Sequence, residues 1–165
     1  MTEVSIRPAR PGEGAVVFGF VRQLATYEHL EHEMRATAAS FEAALFGATP
    51  RAFCDFVEED GVPVGLALWF YNFSTFEGRH GIWLEDLFVD PERRGRGYGK
   101  ALLVHLARRC VAEGLARFEW SVLDWNAPSI AFYRSLGARP MDEWTTMRVD
   151  GAALDRLADG GEGAA

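Results

Sequence analysis

Leu84-Glu85-Asp86-Leu87-Phe88-Val89-Asp90-Pro91-Glu92-Arg93-Arg94-Gly95-Arg96-Gly97-Tyr98-Gly99-Lys100 is the stretch that decides the fold. Its first half, extended back to Ile82, is a strongly apolar strand that Asp90-Pro91 ends. Its second half opens a helix from about Tyr98 to Glu113, with Leu102, Leu103, Leu106, Ala107 and Cys110 on one side and Lys100, His105, Arg108 and Arg109 outside it, and Gly114 as its stop. Between strand and helix the glycines permit positive φ and close approach of a ligand to the backbone. The amides of the helix's first turn, which have no intrahelical acceptor, then point into the loop. That combination is an anion site, and the arginines and Lys100 add attraction for phosphate.

Spacing excludes two well-known phosphate motifs. A P-loop needs Gly at position 94 and Ser or Thr at 101, where the chain has Arg94 and Ala101. A dinucleotide fingerprint needs Gly at 100 or 102, where Lys100 and Leu102 stand.

Outward from this junction the elements alternate. Val4 to Arg7 is a short strand, followed by a helix from Glu13 to about Tyr27 with Val17, Phe20, Val21 and Leu24 on one stripe. After a polar stretch from Glu28 to Ala36, Ser40 caps a short helix through Phe46. Ala52 to Glu58 and Val62 to Tyr71 form a hairpin across an Asp60-Gly61 turn. Downstream, Phe118 to Leu123 is a strand, Pro128 starts a helix that Gly137 closes, and Trp144 to Val149 is a last strand. The fold class is therefore α/β, a mixed, mostly antiparallel sheet flanked by helices in a single domain over residues 1–158, with a disordered Gly- and Ala-rich tail over 159–165.

A length of 165 residues with 48% hydrophobic content can bury one core. A formal net charge of −7 argues against a nucleic-acid partner, since phosphate contacts need clustered Lys and Arg. No apolar run is long enough to span a bilayer, so a cytoplasmic protein is expected. Cys54 and Cys110 lie among apolar neighbours, and neither they nor the four histidines have the spacing of a metal site.

Arg94-x-x-Gly97-x-Gly99 after this strand resembles the acetyl-CoA signature of the GNAT acyltransferase superfamily, and Asn126-x-Pro128-Ser129-x-x-Phe132-Tyr133-x-x-x-Gly137 is similar to that family's second conserved helix. Ile6-Arg7-Pro8-Ala9, Leu24-Ala25-x-Tyr27-Glu28, Leu84-Glu85-Asp86 and Trp144 resemble its spermidine/spermine and thialysine N-acetyltransferase branch. The resemblance implies acetyl-CoA as cosubstrate, held by Arg94, Gly95, Arg96, Gly97, Tyr98, Gly99 and Lys100, by backbone around Leu87, Phe88 and Val89, and by Asn126, Pro128 and Ser129. It also implies a homodimer.

Acetyl transfer to an amine needs removal of the ammonium proton, stabilisation of the oxyanion and a proton for the departing thiolate. Each face of the strand ending in Val89 carries one acid among apolar residues: Glu85 with Trp83, Leu87 and Val89, and Asp86 with Ile82, Leu84 and Phe88. Partial burial would raise such an acid toward a useful base. Glu85 is read as the base, and Asp86 is the second candidate, or the group that orients the amine. A backbone N–H near Leu87 or Phe88 can serve the oxyanion. Taken alone, Tyr133 is a core aromatic, but the resemblance implies that it is the general acid. Tyr27 and Glu28 are substrate residues on the same basis, and Trp144 is a wall of the amine channel. The implied activity is N-acetylation of a small polyamine-like or lysine-like amine. The alternatives are another amine (amino acid, antibiotic or protein) and a non-catalytic acyl-CoA-binding module.

Overall fold

The computed structural model describes residues 2–161. Contacts divide the chain into two compact units after Ser121, a boundary that no Pro/Gly-rich linker announces. The first unit is a five-stranded sheet in the order β1 (Val4–Pro8), β2 (Phe53–Glu59), β3 (Val62–Ser74), β4 (Arg79–Val89), β5 (Phe118–Trp120). The first four strands are antiparallel neighbours and β5 joins β4 in parallel, the mixed, mostly antiparallel sheet that the sequence implies.

Helices cover both faces. On one, Val17, Phe20 and Leu24 of α1 (Gly14–Tyr27) and Leu45 of α2 (Ala38–Phe46) pack with Cys54, Phe56, Leu66, Leu68 and Phe88. On the other lies α3 (Tyr98–Ala112), which buries Leu102, Leu103, Leu106 and Cys110. Full burial of side chains such as Phe56, Leu66 and Leu102 is worth about 1.5–3 kcal/mol each. Thr37, rather than Ser40, caps α2: its hydroxyl accepts from the Ser40 amide while the Ser40 hydroxyl accepts from the Thr37 amide.

Two expectations for α3 and β4 are corrected. His105 and Arg109 do not point away from the sheet: His105 Nε2 lies 3.6 Å from the buried Asp55 carboxylate, and the Arg109 guanidinium sits 5.1 Å over the Trp69 ring. Asp55 also accepts the Trp69 indole N–H at 2.7 Å. Second, the strict alternation expected along β4 breaks at Glu85. Leu84 is opposite Trp69 and Asp86 is opposite Leu68, which leaves Glu85 as an extra, unmatched residue. The bulge moves Asp86 and Phe88 to the α1 face, while Ile82 and Leu84 stay on the α3 face.

The second unit contains α4 (Ala127–Ser135) and α5 (Gly151–Ala158). Trp144 to Val149 is irregular chain and not the strand expected from its composition. Strand propensity cannot form a strand without a neighbour to complete its hydrogen bonds, and no strand pairs with this segment among the described residues. β5 likewise ends at Trp120, three residues earlier than expected. Asp159 and Gly160 form a turn after α5, and residues 162–165 of the expected tail lie outside the described residues.

Candidate active site

Two features of the first unit meet at the end of β4. One is a backbone cradle. After Val89, a single 3-10 turn over Pro91–Arg93 is capped by Asp90, whose Oδ1 accepts the Glu92 amide at 3.0 Å. Gly95 and Gly97 then take φ values of 78° and 84°, and Gly97 is the N-cap of α3. A Cβ built on Gly97 meets nothing within 4 Å, so the left-handed backbone itself selects glycine there. No side chain caps this helix end, and the first-turn amides from Tyr98 to Lys100 have no intrahelical acceptor. The cradle fits the diphosphate of a thioester carrier, with the positive end of the α3 dipole behind it. Tyr98 contributes only main chain, because its ring is buried in the core.

Beside the cradle, β4 has a free edge. Its pairing with β5 covers only Ile82, Trp83 and Leu84, so no strand takes up Glu85 to Val89 on that side among the described residues. Apart from the Val89 carbonyl, which accepts Arg94 Nε, this edge can offer backbone groups to the amides of an extended ligand arm.

The loop's cations are mostly engaged. Arg94 donates from Nε to the Val89 carbonyl at 3.0 Å and lies over the rings of Tyr27, at 4.9 Å, and Phe88, at 5.5 Å. Arg93 and Arg96 both reach Glu59 at the end of β2. Lys100 forms no ion pair among the described residues.

The other feature is acidic. Asp86 is pushed up to about 7, first by burial and then by the charges of Glu85 and Glu28. Burial also raises Glu28, the residue that follows α1. Glu85 itself is exposed on the bulge, and its Oε2 accepts the Trp83 indole N–H at 3.0 Å. The Trp83 indole therefore holds the Glu85 carboxylate. Three carboxylates to which no arginine or lysine is bonded among the described residues make a local demand for a cation. The first unit thus brings together Tyr27, Glu28, Glu85, Asp86, Phe88 and Arg94 from α1, β4 and the loop.

The remaining residues of interest belong to the second unit. Asn126 caps α4, its Oδ1 accepting the Ser129 amide at 3.3 Å, and Pro128 stands in the first turn. Tyr133 is half-buried on α4, its ring 5.5 Å from that of Phe132, and Trp144 is exposed. Among the described residues no group of three or more His, Cys, Asp or Glu is arranged to hold a metal ion, and no helix is long and apolar enough to cross a membrane.

A glycine cradle at a strand-to-helix junction, a strand edge beside it and a cluster of carboxylates thus adjoin one end of β4. Residues 19–138 match the acetyltransferase (GNAT) family model, and the chain belongs to that family and is an acetyltransferase. Within the family it is similar to thialysine N-epsilon-acetyltransferase of Sus scrofa, 34% identical with 96% of this chain and 99% of the relative covered. It is also similar to the L-ornithine N5-acetyltransferase of Arabidopsis thaliana, at 28% identity with 92% and 86% covered. Among solved structures, an integron cassette protein from the mobile metagenome of V. cholerae superposes with a TM-score of 0.80 at 23% identity, covering 94% and 97% of the two chains, a likeness of fold.

Proposed function

We propose that this N-acetyltransferase uses acetyl-CoA to acetylate the terminal primary amine of a small lysine-like or polyamine-like substrate, by direct attack in a ternary complex. The observation that carries this reading is the carboxylate group of half-buried Glu28 and Asp86 with exposed Glu85, beside a backbone anion cradle. Relatives named for thialysine and L-ornithine, both amino acids with a terminal amine, support a short aminoalkyl substrate.

In this scheme the amides of Gly95 to Lys100 and the Lys100 ammonium hold the diphosphate, and the backbone of Leu87 to Val89 binds the pantetheine arm. The resemblance adds Asn126, Pro128 and Ser129. The substrate ammonium enters over Tyr27 and between Glu28 and Asp86. Glu85 takes its proton, directly or through water, and the neutral nitrogen attacks the thioester carbonyl. Attack forms the C–N bond and a tetrahedral oxyanion held by a backbone N–H near Leu87 or Phe88; its collapse breaks the C–S bond as Tyr133 gives a proton to the leaving thiolate, and the remaining extra proton of the attacking nitrogen restores Tyr133. Trp144 walls the amine channel, and the protein acts as a cytoplasmic homodimer.

Incubating the protein with acetyl-CoA and a panel of amines, with products read by mass spectrometry, tests the scheme. Acetylated thialysine, lysine, ornithine or spermidine is the expected result. Acetyl-CoA binding without product from any amine would instead mark a non-catalytic module.

A further inference from the structure

Four of the eight residues from Arg93 to Lys100 are cationic. Before an anion binds, those charges repel one another in a loop whose glycines give it many conformations to choose from. The counter-charge comes from elsewhere in the chain. Glu59, the last residue of β2, accepts Arg96 Nη1 on Oε1 at 2.7 Å and places Oε2 3.2 Å from Arg93 Nη1. The Glu59 side chain is only 10% exposed, against 41% and 47% for the two arginines. Its Oε2 is buried and receives no hydrogen bond, so the nearby Arg93 charge compensates it. The backbone under this carboxylate is rigid: Glu59 is paired with Val4 on one side and Val62 on the other, ahead of the Asp60-Gly61 turn. A second tie runs nearby, where the Asp90 amide donates to the Val64 carbonyl at 2.9 Å.

We propose that Glu59 is a positioning residue of the phosphate loop. By fastening Arg93 and Arg96, which flank Arg94-Gly95, to the end of β2, it holds the turn in its anion-binding form before the ligand arrives. The inference rests on reading that loop as the acetyl-CoA diphosphate site. Two effects of Glu59 oppose each other. Its negative charge weakens the loop's attraction for phosphate, yet its tie removes the entropy that binding would otherwise have to remove. The arginine ends are close to half exposed and screened within about 8 Å at physiological salt, whereas ordering several glycine-rich residues is costly. Ordering therefore wins.

The test uses Glu59→Gln, Glu59→Ala, Arg96→Gln and the double variant Glu59→Gln/Arg96→Gln, with acetyl-CoA titrated calorimetrically and kinetics run at saturating amine. Glu59→Gln should raise the Kd and KM for acetyl-CoA about 5- to 30-fold while kcat and the amine KM stay within about twofold. The double variant should bind no worse than the weaker single one, as expected for two halves of one contact. Tighter acetyl-CoA binding by Glu59→Gln would overturn the proposal, because Glu59 would then only compete with phosphate for the arginines. A matching loss in kcat or amine KM would overturn it too, as a general loosening. Should Glu59→Ala fail to fold, the isosteric Gln variant carries the test. Amide hydrogen exchange of the ligand-free protein separates this idea from the cofactor assignment. Faster exchange in Arg94 to Gly99 of Glu59→Gln, with β2 and β3 unchanged, supports the tie, and unchanged exchange overturns it. Wild-type protein that ignores acetyl-CoA would sink the cofactor assignment alone and leave exchange to decide the tie.

Discussion

The phosphate cradle and the acidic cluster adjoin the same end of β4 but are made of different material. The cradle is main chain: Gly95 and Gly97 are left-handed, the end of α3 is uncapped, and Arg93, Arg94 and Arg96 are engaged with protein groups. The cluster is side chain, with Glu28 and Asp86 held in an environment that disfavours their charge. A backbone site is damaged by changing conformation, and a carboxylate site by removing charge. The two halves should therefore fail in different kinetic parameters.

The largest effects belong to proton transfer. Glu85→Gln and Tyr133→Phe should each lower kcat about 10²- to 10⁴-fold with acetyl-CoA affinity and melting temperature near those of the parent. Unchanged turnover in either would remove that residue from the mechanism. Next in size, Gly97→Val should raise the acetyl-CoA Kd about 10- to 100-fold, since a β-branched residue resists φ of 84°. Calorimetry showing parental affinity would mean that the cradle is not a backbone site.

The third prediction concerns pH. Asp86 has a folded pKa of about 7 against an ordinary value of 3.8. Between those values the unfolded chain gives up the proton while the folded chain keeps it, so Asp86 makes stability fall as pH rises from about 4 to about 7 and adds no slope above. The stability of Asp86→Asn relative to the parent should thus rise by roughly 1–4 kcal/mol between pH 4 and pH 8. Denaturant titrations giving parallel pH curves would contradict the burial of this acid. In kinetics, the parent's amine KM should rise as pH falls below about 7, and Asp86→Asn should lose that dependence. Smallest of all, Tyr27→Ala should raise the amine KM about 2- to 5-fold through loss of a cation–ring contact. A larger change in acetyl-CoA affinity would assign the ring to Arg94 instead of the amine, because the guanidinium already lies over it at 4.9 Å.

The cradle was legible because it is local. Strand, Asp-Pro stop, glycines and apolar helical stripe all fall within thirty consecutive residues, and their backbone preferences point the same way. The cluster was legible only in part. Glu85 and Asp86 stood out as acids in an apolar strand, but period-two alternation put Asp86 on the face of Ile82 and Leu84, and the bulge at Glu85 reverses that. The engagement of His105 and Arg109 with Asp55 and Trp69 was missed, although an aspartate inside the apolar run of β2 was the available signal. Trp144 to Val149 failed as a strand because composition reports a preference and not a partner.

By itself, then, the sequence determined the order of elements as far as α4, the glycine-rich strand-to-helix junction and the kinship with acetyltransferases, each read from short local patterns. Tertiary structure alone decided which face Asp86 occupies, that Trp83 holds Glu85, and that Glu59 engages Arg93 and Arg96 from more than thirty residues away. Strand register and long-range charge pairing are set by how separate elements pack together, and no local pattern encodes them.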